Sequence, residues 1–122
     1  MPRLSICSIV GNESIHIQRF LKSFSKIADE FVLVRAIGAA KPDNTLLIAD
    51  VCCRDLGVPL IIGEYQNAPD ERASWLHVDD FGAARQESFD LATGDWKAWA
   101  DIDDLWPECV KNTDLIEKLK AG

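Results

Sequence analysis

The run Leu4-Ser-Ile-Cys-Ser-Ile-Val10, stopped at once by Gly11-Asn12-Glu13, decides how the rest of the chain is read. It is short, apolar in character and bounded by turn formers, which predicts a strand buried on both faces. Such a strand belongs inside a parallel sheet, and the segments that follow supply one. From Glu13 to Lys26, Ile17, Phe20, Leu21 and Phe24 recur at helical spacing with polar residues between them. Phe31-Val-Leu-Val34 predicts a second strand. After a loop from Ala36 to Asp43, Asn44-Thr45 caps a helix that Gly57 and Pro59 stop near Leu56. Pro59-Leu-Ile-Ile62 predicts a third strand, and the polar stretch from Glu64 to His77 a long surface loop. Asp79 or Asp80 caps a further helix, ended by Gly94. Trp96-Lys-Ala-Trp-Ala100 predicts a fourth strand, which runs into the acidic turn Asp101-Ile-Asp-Asp104. Pro107 then opens a last helix reaching Lys120.

Strands alternating with helices call for an α/β fold, a mostly parallel sheet with helices on both faces. Ligands of such sheets bind beyond the carboxyl ends of the strands, where the strand order switches. That directs attention to four loops: Gly11 to Glu13, Arg35 to Asn44, Glu64 to Asp80, and Asp101 to Asp104. With 122 residues, residues 1–122 form one domain, and 48% hydrophobic content is enough for a core. A net charge of -7 excludes general nucleic-acid or anionic-membrane binding, because phosphate would be repelled. The four cysteines, Cys7, Cys52, Cys53 and Cys109, lack the spacing of a zinc site. The first three lie in apolar segments and read as small buried hydrophobes. Reduced thiols and the lack of a long apolar run point to a cytoplasmic protein with no membrane span.

The acidic turn carries the chemistry. In extended chain, positions two apart face the same side, so Asp101 and Asp103 point together while Asp104 turns away. Two carboxylates on one side repel and call for a counter-charge, and Mg²⁺ or Mn²⁺ takes oxygen ligands while keeping sites for phosphate. The plainer alternative is that Asp103 or Asp104 caps the helix beginning at Pro107.

Three motifs lead up to this turn: Asp80-Phe-Gly-Ala-Ala-Arg-Gln86, Ala92-Thr-Gly-Asp-Trp96 and Trp99-Ala-Asp-Ile-Asp-Asp104. With Ile9-Val-Gly-Asn-Glu13 and Ala28-Asp-Glu-Phe-Val-Leu-Val34, they make the chain resemble, over nearly its whole length, the inverting glycosyltransferases of family 2, which have the GT-A fold. The resemblance implies a nucleotide-sugar-binding domain that transfers a sugar from a nucleotide-diphosphate donor to an acceptor hydroxyl. It implies that Asp101 sits near the ribose, that Asp103 holds the metal, and that Asp104 is a third acid. It also implies that Arg85 meets the nucleotide base and Glu13 the nucleoside. The cofactor would be Mn²⁺ or Mg²⁺, neutralising the leaving diphosphate.

The pattern also departs from the family. Where members carry an aspartate after the second strand, this chain has Arg35, and only Gly38, Asp43 and Thr45 echo the rest of that motif. Gln86 replaces the commoner asparagine. The resemblance places the catalytic base and acceptor site in a later half, so the reading is of a GT-A-like domain truncated after the Asp-x-Asp motif, and no residue is nominated as that base. A nucleotide-sugar-binding module without catalysis, working through a partner chain or assembly, is therefore a second expectation. Self-association is another, as cover for apolar surface around Trp99 to Trp106. His16 reads as a boundary residue, and Trp96 and Trp99 as cover for the sheet. Trp75 and Trp106 lie in loops where they could stack on a sugar or base. His77 and Lys41 stand near the expected cleft, and Asp29-Glu30 and Asp70-Glu71-Arg72 read as solvated charge.

Overall fold

The fold is described from a computed structural model over residues 2–37, 43–74 and 78–105. Strand β1 (Leu4–Val10) leads to helix α1 (Ile17–Phe24), β2 (Glu30–Ile37), α2 (Thr45–Leu56) and β3 (Leu60–Gln66). A short 3-10 turn (Glu71–Ser74) precedes α3 (Phe81–Leu91) and β4 (Trp96–Trp99). The four strands form one sheet in the order β3-β2-β1-β4, with β1 parallel to β2 and β4, and β2 parallel to β3. This is the α/β architecture that the alternation of elements predicts.

The two faces of β1 and β2 are both apolar because both are covered. Ile6, Val10, Phe31 and Leu33 face one way, into a cluster with Ile17, Phe20, Leu21 and Phe24 of α1 and Ala49, Cys52 and Cys53 of α2. Cys7 and Val32 face the other way, towards Phe89 and Leu91 of α3. Phe20 stands at the centre of the larger cluster, 4.9 Å from Phe24 and 6.0 Å from Phe31 between ring centroids. The three described cysteines are free and buried, and burial pushes the Cys7 thiol up to about 11 and the Cys53 thiol to about 12. They are packing residues.

Helix α2 stops where the sequence predicts. Gly57 takes the left-handed conformation (φ 71°), and its N–H and that of Val58 return to the Arg54 and Cys53 carbonyls. A Cβ at Gly57 meets nothing within 4 Å. Gly57→Ala is therefore expected to cost about 1 kcal/mol, the left-handed backbone penalty alone, in urea unfolding.

Several boundaries differ from the sequence reading. Residues 13–16 form a hydrogen-bonded turn ahead of α1, since the Glu13 carbonyl accepts from both His16 N and Ile17 N. Strands β2 and β3 run on to Ile37 and Gln66, because parallel pairing from Arg35↔Glu64 to Ile37↔Gln66 outlasts their apolar cores. Helix α3 ends at Leu91, ahead of Gly94. The predicted last helix from Pro107 to Lys120 lies outside the described residues. So do Gly38, Lys41, Trp75, His77, Trp106 and Cys109.

Asp29 and Glu30 are not solvated charge. Glu30 is 3% exposed and accepts from Ser5 Oγ (2.6 Å), Thr93 N (2.9 Å) and Thr93 Oγ1 (2.7 Å). Asp29 accepts from Leu4 N at 2.7 Å. Ser5 Oγ in turn accepts from Gly94 N (2.9 Å), and Asp95 accepts from Arg3 N (2.8 Å). The residues Thr93-Gly94-Asp95 thus splice the end of α3 onto β1 and β2, a structural task. Asp70 and Arg72 do stand in solvent, joined by a two-pronged ion pair.

Candidate functional site

The strand order fixes where a ligand crevice can form. The chain moves outward from β1 through β2 to β3, then returns to place β4 on the opposite side of β1. The switch lies between β1 and β4, so the loops after these two strands border the crevice. The register Cys7↔Trp99 brings Val10-Gly11 and Asp101 out at the same edge.

The loop after β1 is tied to the start of α2. Asn12 accepts from Asp43 N (3.0 Å), and Glu13 N donates to Thr45 Oγ1 (2.9 Å). Asp43 accepts from Thr45 N (2.9 Å) and from the Thr45 hydroxyl. The threonine hydroxyl bond, backed by bonds from Thr45 N and Ser14, holds the Asp43 carboxyl below the usual carboxylate range. Asp43 thus caps α2 and joins two loops, while Asn44 makes no side-chain cap. Glu13 contributes its backbone to this junction, and its half-buried carboxylate has no hydrogen bond or ion pair to a described residue.

After β4 the chain makes a tight turn. Ala100 N donates to Cys7 O (3.1 Å), extending the sheet pairing by one bond, and Ile102 is 5% exposed in the larger core cluster. With Ile102 held inside, its neighbours Asp101 and Asp103 are thrown outward. Asp104 does not turn away as extended geometry predicts. Its N–H donates to Asp101 O (2.9 Å) and its carboxylate accepts from Asp101 N (2.9 Å), which folds it back beside the other two acids. Asp101, Asp103 and Asp104 are all exposed, and a carboxylate oxygen from each lies within 4.8 Å of the others. Like charges this close repel by about 1 kcal/mol a pair even in water. An all-oxygen set of this kind fits a hard divalent cation. Among the described residues no donor satisfies the Asp103 carboxylate.

Arg85 reaches the same corner from α3. Its guanidinium carbon lies 5.0 Å from the Phe81 ring centroid and 4.7 Å from that of Trp99. Its Nε is buried without a hydrogen-bonding partner, and no described carboxylate pairs with it. Trp99 Nε1 donates to Asp101 Oδ1 at 3.2 Å. Trp96 is 41% exposed, whereas Trp99 is half-buried against Phe81 and Phe89. The sequence reading of Trp99 as sheet cover was incomplete. Its spacing two residues before Asp101 put it on the same face and was the available signal.

The third border loop is fixed by Asp79, which the sequence offers as a cap of α3 and which the structure uses to hold the loop instead. Asp79 accepts from Tyr65 Oη (2.7 Å) and Ala68 N (2.8 Å), and its own N–H donates to Asn67 Oδ1 (3.0 Å). The bond to Asp79 pushes the Tyr65 hydroxyl up to about 12. Asp80 caps α3 by accepting from Ala83 N at 3.0 Å.

Two described grooves lie elsewhere. One of about 550 Å³ follows the cationic side of α1 past Arg19 and Lys22, and reaches the acidic turn only through Leu105. Another of about 610 Å³ runs between α1 and α2, past Leu47 and Val51.

No protein-family model matches the chain. It is 29% identical to a TPR repeat-containing protein of Synechococcus elongatus, across all of this chain and 29% of that protein. Among solved structures it resembles glucosyl-3-phosphoglycerate synthase from Mycobacterium tuberculosis, determined with Mn²⁺, uridine diphosphate and glucosyl-3-phosphoglycerate. The TM-score is 0.56 and the identity 18%, over 99% of this chain and 40% of the synthase. The shared feature is the fold, that of a GT-A glycosyltransferase. The chain spans well under half the length of both proteins. Among the described residues no helix is long and apolar enough to cross a membrane.

Proposed function

We propose that the protein is a glycosyltransferase-like domain of the family 2 type, binding a nucleotide-diphosphate sugar through a divalent metal at the acidic turn. The observation that carries this is the convergence of Asp101, Asp103 and Asp104 at the sheet's switch point, on a fold shared with an enzyme solved with Mn²⁺ and uridine diphosphate.

Asp103, whose carboxylate no described donor satisfies, is the principal metal ligand. Asp101 and Asp104 each commit one oxygen within the protein and keep one for the ligand. A bound Mn²⁺ or Mg²⁺ would supply charge neutralisation of the diphosphate as the sugar departs. Arg85 brings a cation that no described acid neutralises, suited to the base or the phosphates. Glu13, on the loop after β1, would accept from nucleoside hydroxyls through its carboxylate. The reaction in this reading is transfer of the sugar to an acceptor hydroxyl with inversion at the anomeric carbon.

A second reading is that the same corner binds the donor without catalysis, as a module acting through a partner or assembly. It is favoured by Arg35, which stands where the family pattern has the aspartate that grips the nucleoside. Calorimetric titration with uridine diphosphate, with and without Mn²⁺, tests the shared premise. Binding is expected only with the metal, and Asp103→Ala is expected to weaken it at least tenfold, the scale of losing one ligand. Release of sugar from a uridine-diphosphate sugar under the same conditions separates the readings: turnover supports the enzyme, metal-dependent binding without turnover the module. Metal-independent binding, or none, would overturn both.

A further inference from the structure

We propose that Trp99 is a positioning residue for the acidic turn, its indole N–H fixing one oxygen of Asp101 so that the other faces the ligand. This rests on the reading that the turn holds a cation and a diphosphate. The indole ring cannot swing freely. Phe81 meets it edge-on at 5.5 Å and 73°, Phe89 at 6.3 Å and 85°, and the Arg85 guanidinium lies 4.7 Å from its centroid. Phe81 and Arg85 are four apart on α3 and so share one helical face. Clamped in this way, Trp99 presents its one polar atom to Asp101 Oδ1 at 3.2 Å.

Asp101 is also tethered through its backbone, whose N–H donates to Asp104 Oδ2 at 2.9 Å. Asp101 Oδ2 has no described donor and is left to accept from a hydroxyl or coordinate a cation. A carboxylate oriented beforehand loses less freedom on binding than a rotating one, and outer partners of this kind commonly set ligand affinity tenfold or more. The same stack joins α3 to the turn. An anion drawn to Arg85 meets an Asp101 already in place.

The test uses the full chain labelled with ¹⁵N. The Trp99 indole resonance is identified by its loss in Trp99→Phe, a change that keeps an aromatic ring in the stack and deletes the N–H. Asp101→Ala is expected to move that resonance and leave the Trp96 indole where it is. Trp99→Phe is expected to weaken uridine diphosphate binding in Mn²⁺ about tenfold while its melting temperature stays close to wild type. Trp99→Leu, which also removes the ring, is expected to lower both. An indole resonance indifferent to Asp101→Ala would overturn the proposal, as would wild-type affinity in a folded Trp99→Phe. Failure of the wild-type chain to bind would instead overturn the functional reading, and the positioning role with it.

Discussion

Gly94→Ala is expected to destabilise the protein by about 3 kcal/mol, the upper range for forcing a methyl group into a packed site. A Cβ there would lie 2.5 Å from Ser5 Oγ, 2.9 Å from Arg3 O and 2.9 Å from Ser5 N. Two of these atoms are backbone, Ser5 N in β1 and Arg3 O just ahead of it, where it accepts from Trp96 N, so they cannot step aside without disturbing the sheet's pairing. The Ser5 hydroxyl is no easier to move, because it donates to Glu30 and accepts from Gly94 N. Urea unfolding of Gly94→Ala beside Gly57→Ala separates steric exclusion from backbone conformation. The Gly94 variant is expected to lose roughly three times as much. Equal losses would mean that the splice onto β1 is looser than described.

The second large effect is expected at Glu30, with Glu30→Ala losing about 3 kcal/mol at neutral pH. The substitution strands three donors that now meet one buried carboxylate, and hydrogen bonds to charged groups are the costly ones to lose. Burial alone would raise the Glu30 acid, but the bonds from Ser5 Oγ, Thr93 N and Thr93 Oγ1 outweigh it and hold the group below its ordinary value. A carboxyl whose folded value is depressed gives stability that is present above its unfolded value and lost as pH falls through the folded one. Wild type should therefore lose stability below about pH 4, and Glu30→Ala should lose less over the same window. Unfolding curves from pH 7 to pH 3 check this. Parallel losses in the two proteins would assign the acid sensitivity to other groups.

Much of this fold is legible in the sequence because its strongest signals are local. Leu4–Val10 is a strand at the bounds the apolar run sets, and Gly57 ends α2 because only a left-handed residue closes that cap. What the sequence hides is partnership at long range. Asp29-Glu30 looks like surface charge until Thr93, 63 residues later, is brought against it. The Gly94-Asp95 pair likewise matches a motif without revealing that its task is to grip β1. At the site, alternation correctly places Asp101 and Asp103 on one side, and fails for Asp104 because a turn has no two-residue period. Trp99 was legible as an aromatic at a strand end, but its bond to Asp101 depends on where α3 sets Phe81 and Arg85.

The most direct measurement is anomalous diffraction from crystals of the protein grown with Mn²⁺ and uridine diphosphate. The expected result is a manganese peak within coordination distance of an Asp103 carboxylate oxygen, with the diphosphate on its far side and Asp101 still bonded to Trp99. A nucleotide bound elsewhere, with no metal at the turn, would contradict the assignment of this corner as the donor site.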